Sequence, residues 1–390
     1  MEGERGLVCV TGGTGFIASW LIMRLLQNGY KVQTTVRPDP EGKRDVSYLT
    51  NLPGAFERLQ IFNADLDEPE SFSDAIQGCI GVFHVAHPLA FNENEPEEIV
   101  SKRLVEATLG ILRICLNSKT VKRVVYTSSS KAVLLCGKDV DVVDENVWSD
   151  VDYHKSLNTF GLHYMASKTK SEMAALAFGE EHGLDIVSLL PCRAVGPFLT
   201  PHLPASVEVA LSMILGKKHL YKYLTNIHMV HVYDVARAHI FLFENPTAKG
   251  RYICASDEIS INELSEFLSI KYPEYQIPTS DELKGNEGKK LPHLSSKKLL
   301  EAGFQFKYGL DEMLDGAIQS CKEKGFLYVG KKERFKYLEF VHKVQVDDLA
   351  GAYIFLLENP AANGRYICSS NEMSEFLPAK YPEYQTPTAE

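Results

Sequence analysis

No apolar run in this sequence approaches the roughly 20 residues that a bilayer-spanning helix needs, so no membrane span is expected. It opens MEGERGLVCV, with no basic leader ahead of an apolar stretch, and the expectation is a cytoplasmic protein. Positive charge is in deficit. Lys and Arg number 41 against 51 Asp and Glu, a formal net charge of −10, which argues against nucleic acid or an acidic membrane surface as partner. The 8 cysteines are scattered singly, with no C-x-x-C pair and no His/Cys cluster at zinc spacing. Neither a disulfide framework nor a metal site is expected, and the thiols read as reduced, buried small hydrophobes.

What is present is enough to build a sizeable core: 390 residues, 45% of them hydrophobic, sufficient for two or three domains. Short Val- and Ile-rich runs (LVCVTG, KVQTTVR, RLQIFNADL, GVFHVA, KRVVYTSSS, DIVSLLP) alternate with helix-period segments, the clearest being residues 95–117 and 157–182. That rhythm predicts an α/β fold with a Rossmann-type doubly wound parallel sheet over residues 1–190. After Pro191 the pattern becomes a smaller mixed α/β lobe, expected over residues 191–327, with residues 226–240 able to return to the first domain. There, GRYIC reads as a short strand of the smaller lobe and SSKKLLEAGFQFKY as a helix. Between two such lobes a cleft forms where small molecules bind.

The last segment, residues 328–390, partly repeats residues 226–280. ENPTAKGRYICAS, beginning at Glu244, returns as ENPAANGRYICSS at Glu358, and KYPEYQIPT as KYPEYQTPT, less a stretch best placed at residues 259–263. One pair of partial copies is no solenoid, which needs about three repeats. The copy carries no cofactor turn or catalytic motif, so it is expected to be a dispensable appendage.

The first strand runs into VTGGTGFIA. Gly12-x-x-Gly15-x-x-Ala18 in a strand–turn–helix setting is a dinucleotide signature: glycines for the turn and for close backbone approach to a pyrophosphate, a small residue for packing, and the helix N-terminus for the phosphates. Where an NAD binder has an acid at the end of the second strand, this chain has Arg37, with Lys43 and Arg44 close behind. A forked, permanently charged guanidinium suits a 2′-phosphate, so NADP is favoured over NAD.

Tyr164 and Lys168 stand at i, i+4 in GLHYMASKTKSE, on one face of a helix. A phenol with a pKa of about 10 needs a neighbouring cation to work near neutrality, and a lysine one turn away supplies it. Ser128, Ser129 and Ser130 end the fifth strand, at the carboxyl edge where open α/β sheets place ligands, and can hydrogen-bond a substrate carbonyl.

In this order the motifs resemble those of an extended short-chain dehydrogenase/reductase. KRDVSYLTNLPGA, GCIGVFHVAHP, NSKTVKRVVYTSS, WSDVDY, IHMVHV, DVARAHIFLFENP, KYPEYQIPT and CKEKGFL resemble the plant dihydroflavonol 4-reductase group, and within it the vestitone reductase branch, over about residues 6–327. The resemblance implies hydride transfer from NADPH to a phenolic ketone. Ser129 polarises the carbonyl, Tyr164 donates the proton, and Lys168 holds the nicotinamide ribose and tunes Tyr164. It implies that Thr11, Gly12, Gly13, Thr14, Gly15, Phe16 and Ile17 bind the pyrophosphate, and Arg37 and Arg44 the 2′-phosphate. Asp65 and Leu66 flank the adenine, and Val85, Ala86, His87, Pro191 and Ala194 line the nicotinamide. Leu134 and His228 fall at substrate-facing positions, and the protein is expected as a monomer or weak homodimer.

The chain departs from the family pattern at several of these places. Leu134 stands where dihydroflavonol reductases read substrate with Asn, and Lys131 where the family has a small residue. His87 replaces Ser or Thr, Arg193 an apolar residue and Tyr233 an acid. These departures keep open a second possibility, an NADP-binding protein with little catalysis.

Overall fold

The computed structural model describes residues 5–88, 95–156, 161–224, 226–285 and 291–327; the repeated segment 328–390 lies outside them. In chain order the strands are β1 (Leu7–Val10), β2 (Lys31–Val36), β3 (Leu59–Asn63), β4 (Gly81–His84), β5 (Arg123–Thr127), β6 (Val142–Val143), β7 (Asp185–Pro191), β8 (Arg193–Val195), β9 (Asn226–His231), β10 (Gly250–Cys254), β11 (Asp257–Ser260) and β12 (His293–Leu294).

Seven strands form one all-parallel sheet in the order β10-β7-β5-β4-β1-β2-β3. Strands β4 and β5 are buried along their whole length, as strands covered on both faces are, with Val82, Phe83, Val124 and Val125 at their centres. The chain builds outward from β1 to β3, then returns to place β4 on the other side of β1. The carboxyl ends of β1 and β4 therefore diverge around a crevice, the switch point at which open α/β sheets bind ligands.

Helix Phe16–Gln27 follows β1 after a tight turn and buries Ala18, Leu21, Ile22, Leu25 and Leu26. Gly29, with φ 84°, stands just past its end, in the left-handed conformation that glycine adopts at little cost. Helices Glu97–Ser118 and Leu162–His182 pack side by side on the sheet. The second begins later than its periodicity predicts. Gly161, with φ 92°, starts it, residues 157–160 lie outside the described ones, and Val151–Ser156 is a separate short helix.

Two other expectations change. GRYIC, expected in the smaller lobe, is β10 at the edge of the large sheet, in register with β7 from Gly250↔Val187 to Cys254↔Pro191. In SSKKLLEAGFQFKY only Lys297–Glu301 is helical. Gly303 turns the chain at φ 103°, and the N–H groups of Lys307 and Tyr308 go instead to the buried Asp234 carboxylate at 2.9 and 3.0 Å.

The remaining elements make a second core. Strands β8, β9 and β11 form a small mixed sheet, β8 parallel and β11 antiparallel to β9. Its side chains cluster with Val207, Leu211, Leu264, Leu268, Met313 and Leu314. Helix Ile261–Lys271 is started by a reciprocal cap, the Ser260 hydroxyl accepting from the Glu263 amide and the Glu263 carboxylate from that of Ser260. Helix Val232–Glu244, directly after β9, goes back to the large sheet: Ala236 and Ile240 pack with Val8 and Val10, and the Arg123 guanidinium donates to the Leu242 carbonyl at 2.7 Å. No described helix is long and apolar enough to cross a membrane.

Candidate active site

The glycine turn sits at the switch point. Gly12 has φ 74°, and a Cβ there would lie 2.9 Å from Ala86 Cα; one at Gly13 would collide with the Thr34 hydroxyl. The backbone is pinned by Gly13 N–H to Thr35 O at 2.8 Å and Gly12 N–H to the Thr35 hydroxyl at 3.1 Å. Gly15 is exposed and precedes helix Phe16–Gln27, and no side chain caps that N-terminus. The first-turn N–H groups thus face the crevice with the positive end of the helix behind them. Phe16 and Ile17 turn their side chains to apolar clusters, and the Thr14 carbonyl accepts from the Tyr48 hydroxyl at 3.2 Å.

Thr11, expected at the pyrophosphate, is fully buried and its hydroxyl is spoken for. It accepts from the N–H groups of Val85 and Ala86, both at 3.0 Å, and lies 2.9 Å from His84 Nδ1. With both lone pairs used, its proton goes to Nδ1, so His84 carries its own proton on Nε2. Burial, with Lys168 adding to it, pushes His84 down to about 3 and keeps the ring neutral. Thr11 therefore ties the glycine turn to the end of β4, where Val85, Ala86 and His87 stand half-buried.

At the carboxyl end of β2, Arg37 is exposed and 3.9 Å from the Asp65 carboxylate. Arg44 donates its guanidinium to the Arg37 backbone carbonyl, which holds its charge at the end of β2. Leu66, next to Asp65 in sequence, is half-buried and packs on the cluster beneath β3.

The three serines after β5 have separate tasks. Ser128 donates to Glu172 at 2.7 Å and is consumed in the core. Ser130 begins the short helix Lys131–Leu134, and its N–H reaches the Pro191 carbonyl at 3.0 Å. Ser129 is left to the cleft, where its hydroxyl bears on the Tyr164 phenol and pulls its pKa down. Burial is the larger effect and leaves Tyr164 raised, while the Arg193 guanidinium also favours phenolate. The Lys168 ammonium donates to the Thr127 carbonyl at 2.7 Å, just before the serines. Burial pushes it down to about 7, with the Glu172 carboxylate pulling the other way. His87 meets Tyr164 edge to face, ring centroids 5.6 Å apart, and its Nε2 lies 3.2 Å from the Ser167 hydroxyl.

Beneath this group is a network that the motifs did not announce. Glu172, one turn after Lys168 and fully buried, takes both Arg251 Nε and Nη2, at 3.0 and 3.1 Å, and the Ser188 hydroxyl at 2.6 Å. Arg251 lies 3.4 Å from the ring centroid of Trp148 and donates to the carbonyls of Glu145 and Val147. It belongs to GRYIC, the strand whose sequence recurs in the tail. Its one sequence signal was a charged residue inside an apolar run.

On the other side of the cleft, Pro191 and Ala194 are buried where β7 passes to β8. Leu134, expected to face substrate, is packed in an apolar cluster with Val143, Leu190 and Val230. His228 is a buried residue of β9, its Nε2 3.4 Å from Glu258, which His293 also meets at 2.6 Å. These three bring candidate ligand atoms within 4.8 Å of one another, although their spacing in sequence gave no metal pattern. Half-buried Lys131 and Arg193 also face this space. Burial, then the charge of Arg193, pushes Lys131 down to about 8.

The NAD dependent epimerase/dehydratase family matches residues 8–255. Vestitone reductase of Medicago sativa is 58% identical over 327 residues, covering 84% of this chain and 100% of that protein. Dihydroflavonol 4-reductase of Hordeum vulgare is 44% identical over 331 residues, covering 85% of this chain and 93% of its own. The crystal structure of vestitone reductase from alfalfa superposes with a TM-score of 0.74 at 56% identity, covering 83% of this chain and 100% of that one.

Proposed function

This chain belongs to the NAD dependent epimerase/dehydratase family, and on that premise we propose that it is an NADPH-dependent reductase of a ketone in a flavonoid, isoflavonoid or related plant phenolic. The observation that carries the reading is the Ser129 hydroxyl bearing on the Tyr164 phenol, with the Lys168 ammonium held by the Thr127 carbonyl just before the serines, at the carboxyl edge of one parallel sheet. Named reductases among its relatives support it.

The residues fit a dinucleotide. The turn has no room for a Cβ at Gly12 or Gly13, its helix N-terminus carries no side-chain cap, and two guanidiniums stand at the end of β2. Thr14, Phe16 and Ile17 offer backbone N–H groups to the pyrophosphate, while Gly12, Gly13 and Gly15, whose N–H groups go to Thr35 and to the Gly12 carbonyl, let the main chain come close to it; Thr11 acts by holding the turn. Arg37 and Arg44 take the 2′-phosphate, with Asp65 and Leu66 at the adenine and Val85, Ala86, His87, Pro191 and Ala194 around the nicotinamide. Residues 1–190, joined by helix Val232–Glu244 and β10, form the cofactor half; the rest of residues 191–327 wall the substrate.

When bound, NADPH supplies the hydride. Ser129 donates a hydrogen bond to the substrate carbonyl oxygen and Tyr164 delivers the proton to it. The Lys168 ammonium, held by the Thr127 carbonyl, steadies phenolate and makes that transfer easier near neutrality. Glu172 supports this lysine from one turn below.

The test is NADPH oxidation by the full-length protein across dihydroflavonols, isoflavanones and aromatic aldehydes. Turnover with at least one, lost in Tyr164→Phe, is expected. NADPH binding without turnover on any of them would overturn the reading. It would favour the second one, a cofactor-binding protein with little catalysis, which draws on the Arg193 guanidinium acting on the Tyr164 phenol and on Lys131 beside Arg193.

A further inference from the structure

A pocket for neutral phenolics leaves Lys131 and Arg193 unexplained. Lys131 comes two residues after Ser129, whose hydroxyl accepts its N–H at 3.2 Å. Arg193 comes two residues after Pro191, whose carbonyl accepts the Ser130 N–H at 3.0 Å. One hydrogen bond thus ties both segments together at the carboxyl edge of the large sheet. The side chains are close enough to act on each other as like charges, and the Arg193 guanidinium acts on the Tyr164 phenol.

Among the described residues no carboxylate forms an ion pair with Lys131 or Arg193. Strand β11, beyond β9 from Arg193, carries two acids: Glu258 is engaged by His228 and His293, and Asp257 accepts from the Ser256 hydroxyl at 2.6 Å. Arg193 Nε is buried without a hydrogen-bond partner, and the guanidinium has one long contact, Nη2 to the Tyr223 carbonyl at 3.5 Å. A buried donor lacking an acceptor, beside a second cation, destabilises the fold until a ligand supplies the negative charge. Arginine's planar fork, with lysine as a point charge beside it, matches a carboxylate.

We propose that the substrate is a carbonyl compound carrying a carboxylate, received by Arg193 and Lys131 while its carbonyl meets Ser129 and Tyr164. The inference rests on the reductase reading above. It adds a charge to the substrate class that Ser129, Tyr164 and Lys168 leave open.

The probes are 4-acetylbenzoate and its methyl ester, offered with NADPH to the full chain. The acid is expected to exceed the ester in kcat/KM by about 10- to 100-fold, the range of a charge-assisted hydrogen bond. That ratio should shrink as salt is added. Arg193→Leu and Lys131→Ala should each lower it, and Arg193→Gln, which keeps donors without charge, serves if the leucine variant fails to fold. Equal rates, or a ratio that the variants leave intact, would overturn the proposal. If neither ketone is reduced, the reductase reading is still decided by the panel of dihydroflavonols, isoflavanones and aromatic aldehydes, and calorimetric titration with the same pair decides the anion site. Binding of the acid alone, lost in Lys131→Ala/Arg193→Gln, supports it; equal binding, or none, overturns it.

Discussion

The two walls of the cleft are built differently. The cofactor wall uses contiguous backbone: a glycine turn, a helix N-terminus and the ends of β2 and β4, with side chains such as Thr11 spent on holding the main chain. The opposite wall draws single side chains from β8, β9 and the helix after β5, and these are charged or titratable: Lys131, Arg193, His228. A backbone cradle recognises a shared cofactor and tolerates little change. A wall of side chains is set residue by residue, and that is where this chain departs from the dihydroflavonol reductase pattern.

The comparison breaks most sharply between the walls, at the reacting groups. Tyr164→Phe should lower kcat by about 10²- to 10⁴-fold, the usual worth of a positioned proton donor. NADPH affinity, read by fluorescence titration, should stay close to the wild type, and a matching loss of affinity would return Tyr164 to the cofactor wall. Next is the support beneath. Glu172→Ala leaves the Arg251 guanidinium buried with its carboxylate gone and should cost about 3–5 kcal/mol in denaturant unfolding. An unchanged midpoint would show that the network is slack.

Arg37→Ala sharpens the cofactor side. Loss of a charge-assisted contact to the 2′-phosphate should erase about 10- to 100-fold of the preference for NADPH over NADH, measured as a kcat/KM ratio. A smaller effect comes from pH. Because burial lowers Lys168 to about 7 in the folded protein, an unfolded chain binds that proton more tightly between about 7 and the ordinary lysine value. Stability relative to Lys168→Met should therefore rise as pH climbs through that window; melting curves in which the gap stays constant or narrows would contradict it. The least effect is expected from truncation after Leu327, since vestitone reductase is matched over its whole length by 84% of this chain. Loss of folding or of NADPH turnover would give the tail a role.

Much of the cofactor wall was legible because its chemistry is local. Gly12-x-x-Gly15, the Tyr164–Lys168 spacing and a serine run ending a strand are short patterns that sterics and helix periodicity impose on neighbours in the chain. Which serine faces the cleft was not legible in that way. Glu172 claims Ser128 and leaves Ser129 to the cleft, and Glu172 is placed by Arg251 and Ser188 from other strands. Nor did periodicity show that β10 joins the large sheet, or that Leu134 turns into the core while Lys131 stays at the cleft. By itself the sequence determined a parallel α/β fold, a dinucleotide turn and a tyrosine–lysine pair, since each is written in adjacent residues. Tertiary structure alone decided that Lys131 and Arg193 share a space without a countercharge among the described residues. They are brought there by a hydrogen bond between two strand ends, and no spacing along the chain encodes that meeting.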